Sequence, residues 1–303
     1  MKWISAYCLT CIFLCATPSI SIGGDAVRAM EKADNLFSGG EFFAASIEYE
    51  RAYFLSDKPV QKTLANLSKA RALKQTGRYE KALTDLQRSL PFAGPDSLRF
   101  QVLYEMAFCS FMAGDHTGAA SYVRQARYFY PGLGEGLWLL YALSLVQLEE
   151  WSRLGEFLEG LDPDDIPLQE SRELIADIAA RTSAEALPRS REPERARMMA
   201  TFLPGLGHFY AGAPGKGILN ASSQLTSLGV FGLLALNGYY VAGVTIGLSM
   251  FQSFYFGGIR QAGELARGTS LARMDAFKQE LSQMLISLAG NDPAARTKTN
   301  SAN

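Results

Sequence analysis

The chain has 303 residues, a net charge of −1, 19% charged and 48% hydrophobic side chains. That length leaves room for two domains, and the near-neutral balance excludes the strongly basic face on which a nucleic-acid binder relies. The average conceals two unlike parts, a polar first two thirds and a long uncharged stretch near the C-terminus.

At the N-terminus, Lys2 precedes an uncharged apolar run over residues 3–16, followed by Thr17, Pro18, Ser19 and Ser21. This is the layout of a secretory signal peptide, residues 1–23, with cleavage expected after Ser21 or Gly23; the run is too short for a comfortable membrane crossing. Leu14 stands before Cys15 where lipoprotein processing asks for a small residue. Cys8, Cys11 and Cys15 leave with the segment. Cys109 then stands alone, so the mature chain is expected to hold no internal disulfide and to use Cys109 as an apolar core residue.

Residues 25–182 repeat. The order Ala33, Gly40, Phe42, Ala45, Ala52 recurs as Ala70, Gly77, Tyr79, Ala82, Ser89 and again as Ala107, Gly114, His116, Ala119, Ala126, Pro131. A weaker fourth copy reads Trp138, Ala142, Trp151, Leu154, Leu161, Pro163, and equivalent positions lie 37, 37 and 35 residues apart. The pattern predicts paired antiparallel helices. A small residue before the Gly lets helix A meet its partner, the Gly permits a tight turn, the aromatic fills the hairpin, and later small residues admit helix B. A helical stretch over 168–181 is expected to cap the array. The alternative is a non-repetitive bundle in which the Gly and Ala spacing is incidental.

These residues, above all GRYEKAL at 77–83, resemble the tetratricopeptide repeat, with a period slightly longer than that family's roughly 34 residues. The resemblance implies an αα-hairpin solenoid whose concave groove grips a peptide or protein. On the first unit it assigns Val27, Met30, Asp34 and Phe37 to that groove. On the second it assigns Leu64, Leu67, Arg71, Lys74 and Gln75, and on the third Gln101, Tyr104, Phe108, Phe111 and Met112. The middle of the face, Arg71, Lys74, Gln75, Gln101, Tyr104 and Phe108, mixes cations with aromatics and suits an acidic or C-terminal carboxylate ligand. Otherwise the aromatics pack within the array or against the chain's own C-terminal helix.

Residues 183–197 carry Arg, Glu and Pro without apolar periodicity and read as an exposed linker. A membrane module follows over 198–262. Between Gly217 and Ile259 there is no Asp, Glu, Lys, Arg or His. That run is about twice the ~20 residues one helix needs to cross a bilayer. Asn237 and Gly238 supply a turn at its midpoint. The prediction is a two-helix transmembrane hairpin. Its lead-in holds Pro204, Gly205, Gly207, Tyr210, Gly212, Lys216 and Gly217, a pattern that resembles the opening of the TM2-like bacterial membrane domains, to which no catalytic role attaches. Residues 202–215 are expected at the membrane interface or as a re-entrant piece, with Phe209 and Tyr210 as aromatic anchors. Gly229, Gly232, Gly243 and Gly247, with Ser223 and Ser227, are expected to let the helices approach. The polar start of the first crossing, Asn220, Ser222, Ser223 and Gln224, is expected to lie in the interface, with bonding across helices or a partner contact as alternatives.

Chemistry is otherwise sparse. GAPGKG at 212–217 lacks the Ser or Thr and the Gly spacing of a phosphate loop. His116 and His208 have no ligand set at metal spacing, and no nucleophile–base pair stands out. No metal, cofactor or enzymatic activity is expected. From Leu271 the spacing of Met274, Phe277, Leu281, Met284 and Leu288 predicts an amphipathic helix over 263–290 that packs on the array, lies on the membrane or pairs with a second copy. The tail, 291–303, reads as disordered.

Arg189, Arg191, Arg195, Arg197, Lys216 and Arg260 flank the hairpin and weigh toward a cytoplasmic side, but long exported domains cross largely regardless of charge. The signal peptide therefore places the repeats in the periplasm of a bacterial inner-membrane protein. The expected function is a non-enzymatic envelope scaffold that binds another envelope protein through its groove. The alternative is an accessory subunit of a transport or protein-insertion apparatus in which the hairpin is the working part.

Overall fold

The computed structural model describes residues 22–89, 94–131, 137–161 and 169–290, all of them helix, turn or connecting backbone, with no strand. The expected signal peptide lies outside the described residues except for its last two, and so does the tail. Two compact units emerge, residues 1–144 and 145–303. Their boundary falls within a helix rather than in the Arg- and Glu-rich stretch at 183–197. That stretch is structured because Pro193 opens a helix and Ala196 inside it is fully buried. One buried alanine is too little apolar signal to show as periodicity.

The first unit runs through α1 (Ile22–Ser38), α2 (Phe42–Leu55), α3 (Pro59–Gln75), α4 (Tyr79–Ser89), α5 (Asp96–Met112), α6 (His116–Phe129) and most of α7 (Leu137–Gln147). From α1 to α6 each helix packs on the next, and α3 also reaches α5. Three turns share one geometry. Gly40, Gly77 and Gly114 sit in the left-handed region at φ 81°, 71° and 85°. Each donates its N–H three residues back, and the next residue donates five back, as in Gly40 N–H to Phe37 O and Glu41 N–H to Leu36 O. This pair of hydrogen bonds satisfies the last carbonyls of the preceding helix and needs a residue without a Cβ penalty at its pivot. On the helices, Ala33, Ala45, Ala70, Ala82, Ala107 and Ala119 are all 0% exposed. A larger side chain at these places would cost roughly 1–3 kcal/mol in overpacking.

The fourth turn repeats the bonds without the glycine. Glu149 N–H reaches Val146 O, Glu150 N–H reaches Leu145 O, and Glu149 is left-handed at φ 59°, the sole such non-glycine among the described residues. A side chain there costs on the order of 1–2 kcal/mol. Its carboxylate meets Lys278 Nζ at 2.6 Å with half its surface exposed, a bridge worth about 0–1 kcal/mol. The strain outweighs the bridge, so Glu149→Gly is expected to raise the thermal midpoint slightly, and a fall would show that the bridge to Lys278 dominates.

The second unit holds α8 (Trp151–Glu159), α9 (Gln169–Arg181), α10 (Pro193–Phe202), α11 (Leu206–Tyr210), α12 (Pro214–Leu236), α13 (Tyr240–Ala242), a π-helical segment (Gly243–Leu248) and α14 (Ser249–Gly290). The second apolar segment and the amphipathic helix are therefore not separate elements. Residues 249–290 form one helix of about 63 Å. No proline interrupts them, and Gly263 is covered by the Arg197 side chain. The far end of α14 packs on α9, with Leu281, Leu285 and Leu288 buried, while Leu271 at the start of the expected stripe is 59% exposed. Phe277 meets the Trp151 ring edge-on at 5.4 Å, and Arg181 Nη1 donates to Glu280 at 2.6 Å.

α12 has the length and composition of a membrane-crossing helix, and only 11% of its most apolar window is buried. It reverses at Gly238 and packs along the π-helical segment and α14. Gly247 lies so close to Phe231 that a Cβ would stand 2.7 Å from that residue's backbone, and Gly243 faces Phe231 and Leu234. Gly229 and Gly232 face no neighbour, so of the four glycines expected to let the helices approach only Gly243 and Gly247 do so. Ser227 is fully buried as expected.

Candidate functional site

Two arrangements stand out, one on the first unit and one in the second. On the first, α3 presents Arg71 and Lys74 toward α5, where a single carboxylate receives both. Arg71 Nε donates to Glu105 Oε1 at 3.2 Å, Lys74 Nζ to Glu105 Oε2 at 2.5 Å, and the Glu105 side chain is only 7% exposed. Arg71 Nη2 also reaches Gln101 Oε1 at 3.4 Å, and Lys74 stands 4.5 Å over the Phe108 ring. Four of the expected groove residues are thus brought together. Gln75 and Tyr104 are exposed on the same two helices.

The cations are not free, and sequence reasoning missed why. Glu105 lies in an otherwise apolar run of α5, and that isolated carboxylate was the available signal. Three further groove assignments are corrected. Leu67 is buried in the core with Leu73, Leu86, Val102 and Met106. Phe37 turns inward, edge-on to Phe42 at 5.2 Å, and Phe111 meets the His116 ring at 5.0 Å. These face the hairpin interior because each sits near a helix end that the tight turn folds back on its partner.

At the α1 end, Val27, Met30, Asp34 and Leu64 line an apolar cleft of 160 Å³ with Ala26, Glu31, Ala52, Ser56, Gln61 and Ala65. Tyr49 donates its hydroxyl to Asp34 Oδ1 at 2.6 Å. Burial first, then the Asp34 carboxylate, pushes the Tyr49 phenol well above its ordinary value, so it remains a donor. Cys109 is fully buried, and burial pushes its thiol up to about 12, which leaves it unreactive.

In the second unit the Gly-rich lead-in is a compact knot against α10 and α14. Gly205 is left-handed at φ 85° and opens α11, and a Cβ on it would stand 2.4 Å from Gly217 O. A Cβ on Gly207 would meet Ala196 O at 2.1 Å and the Ala200 and Ala262 methyls below 3 Å. Gly217 faces the Phe209 ring, and Gly212 faces the Arg191 guanidinium. Tyr210 accepts from Glu192 N–H at 3.1 Å, so it ties the knot to α10 while Phe209 is half exposed. Thr269 donates to Ala211 O, Ser270 accepts from Arg191 N–H, and buried His208 meets Gln261 Oε1 at 3.1 Å. Pro204 sits in the turn before α11, and exposed Lys216 lies in the first turn of α12. The α14 partners, Gln261, Thr269 and Ser270, carry no motif that sequence reading would notice.

At the polar start of α12 one side chain, Asn220, bonds across helices, and the others bond within α12. Asn220 Nδ2 donates to Phe254 O at 3.1 Å and Gln224 Nε2 to Asn220 Oδ1 at 2.8 Å, while the Ser222 and Ser223 hydroxyls return to Leu219 O. Among the described residues no group of three or more His, Cys, Asp or Glu side chains forms a metal site. The chain matches no protein-family model, and no curated protein matches it.

Proposed function

We propose that this chain is a non-enzymatic scaffold of the bacterial envelope, in which a tetratricopeptide-like array on the periplasmic side binds another protein and a TM2-like hairpin holds it in the inner membrane. The observation that carries the membrane half is α12, whose apolar side chains Ile218, Leu219, Leu225, Leu228, Leu233 and Leu236 are all exposed. The core helix of a water-soluble protein buries such a face, and an uncovered apolar patch of this length has lipid as its natural solvent. Phe202, Leu203 and Phe209 are exposed beside it and suit the headgroup level.

The binding half is supported by the common register of three glycine turns and by exposed Val27, Leu64, Tyr104 and Met112 on the first helix of each pair. The reading in which the hairpin itself does the work leaned on the polar start of α12, and those side chains are engaged in holding α12 to α14 and to its own turns. A test of the scaffold uses in-cell cross-linking and recovery from membranes. Val27→Ser, Leu64→Ser and Tyr104→Ser together remove exposed apolar surface without stranding the buried Glu105 charge. Specific partners are expected to disappear, whereas an unchanged set of partners refutes the groove.

A further inference from the structure

We infer that the face of the first unit carrying the α1–α3 cleft and the Arg71–Glu105–Lys74 cluster takes a basic amphipathic peptide segment, an apolar side chain flanked by Lys or Arg, rather than an acidic or C-terminal carboxylate ligand. This rests on the scaffold reading above and names the ligand chemistry of that same face. Its carboxylates are Glu31, Asp34 and Glu105, against the two cations Arg71 and Lys74. Both cations are held by Glu105, one through each oxygen. A ligand carboxylate would meet cations already shared with a nearly buried acid, so it gains less from them than from free cations, and drawing either one away would leave that acid short of a partner.

The negative surplus lies at the other end. Glu31 and Asp34 are exposed at the rim of the 160 Å³ cleft, and Glu31 enters no ion pair among the described residues. Asp34 accepts a neutral phenol and enters no ion pair among the described residues. Lys32, the cation between them in sequence, is committed to Glu48 at 2.6 Å. The cleft floor is Ala26, Ala52 and Ala65 with Val27, Met30 and Leu64 at its walls. Its volume is close to that of an engineered cavity of about 150 Å³ that accepts benzene, so it holds one Leu, Ile, Met or Phe side chain. An apolar pocket rimmed by two acids selects an apolar residue with cations beside it.

The test uses the full chain in nanodiscs of zwitterionic lipid and two fluorescein-labelled peptides of equal length. One carries Leu between lysines with an amidated C-terminus; the other carries Leu between glutamates with a free C-terminal carboxylate. The basic peptide is expected to bind at least tenfold tighter, to weaken with added salt, and to lose about tenfold in affinity to Glu31→Gln with Asp34→Asn, a pair that should leave the melting curve nearly in place because the Asn amide oxygen still accepts from Tyr49. Glu105→Gln, which releases Arg71 and Lys74, is expected to raise the affinity of the acidic peptide. Equal or tighter binding of the acidic peptide to the unaltered chain overturns the inference, and so does a basic-peptide affinity indifferent to Glu31→Gln with Asp34→Asn. If the cross-linked partners respond to the serine substitutions while neither peptide binds, the scaffold stands and this ligand assignment falls.

Discussion

Gly205→Val is expected to unfold the C-terminal module by about 3–5 kcal/mol, the sum of left-handed strain and overpacking. The two contributions are separate. A β-branched residue at φ 85° is disfavoured whatever surrounds it, and here the added Cβ would also stand 2.4 Å from the Gly217 carbonyl oxygen. The neighbour cannot yield cheaply, because it is backbone in the first turn of α12, and Gly217 itself is pinned against the Phe209 ring. Gly207→Val should behave similarly without the strain component, since its Cβ would meet Ala196 O at 2.1 Å. The control lies in the same run: Gly215, with nothing within 4 Å of an added Cβ, and Gly229, likewise open, should accept alanine with a change within about 0.5 kcal/mol. Thermal unfolding of the detergent-solubilised chain distinguishes these outcomes. Equal midpoints for Gly205→Val and Gly215→Ala would mean that the knot does not pack as described.

Lys69→Met is expected to destabilise the first unit by about 1–3 kcal/mol, because it leaves the buried Asp85 with only the half-exposed Arg88, 2.9 Å away, as its counter-charge. Lys69 is 3% exposed and lies 2.7 Å from Asp85, itself 3% exposed, and 2.9 Å from the more open Glu50. Asn66 bonds Ser89 and the Asp85 carbonyl beside them, so the cluster clamps α3 to α4. The prediction separates breaking a pair from lacking one. Adding Asp85→Leu to Lys69→Met should recover most of the loss, since an apolar pair of similar volume carries no desolvation penalty. Denaturant midpoints of the two single variants and the double variant measure this, and a strictly additive double variant would exclude the coupling.

The same cluster sets an acid limit. The bond from Lys69, foremost among the influences on it, holds the Glu50 carboxyl below its ordinary 4.5. A depressed carboxylate contributes stability that is present above the unfolded value and lost as pH falls through the folded one. Stability should therefore be flat above about pH 5 and decline below 4.5. Glu50→Gln should flatten part of that decline.

Much of the architecture was legible in the chain itself. The three glycine turns stand where the spacing put them, with their small residues buried, because a left-handed pivot and a close helix approach each admit few residue types. The uncharged run at 217–259 contains one helix with the length and composition to cross a bilayer, since the length of an apolar segment is a local property. Each glycine of the lead-in motif proved to have a steric reason, which its pattern alone did not reveal.

What the order of residues did not disclose are the long-range pairings. Glu105 takes Arg71 and Lys74 from thirty-odd positions earlier in the chain, so neither cation stands without a counter-charge. Arg191 meets Ser270, Thr269 meets Ala211, and the continuous α14 carries the stripe of Leu281, Leu285 and Leu288 to α9. Turns, caps and apolar periods follow from neighbours a few residues apart, and the sequence determines them directly. Which charge meets which, and which helix covers which face, depends on burial and desolvation that exist only once the chain has folded.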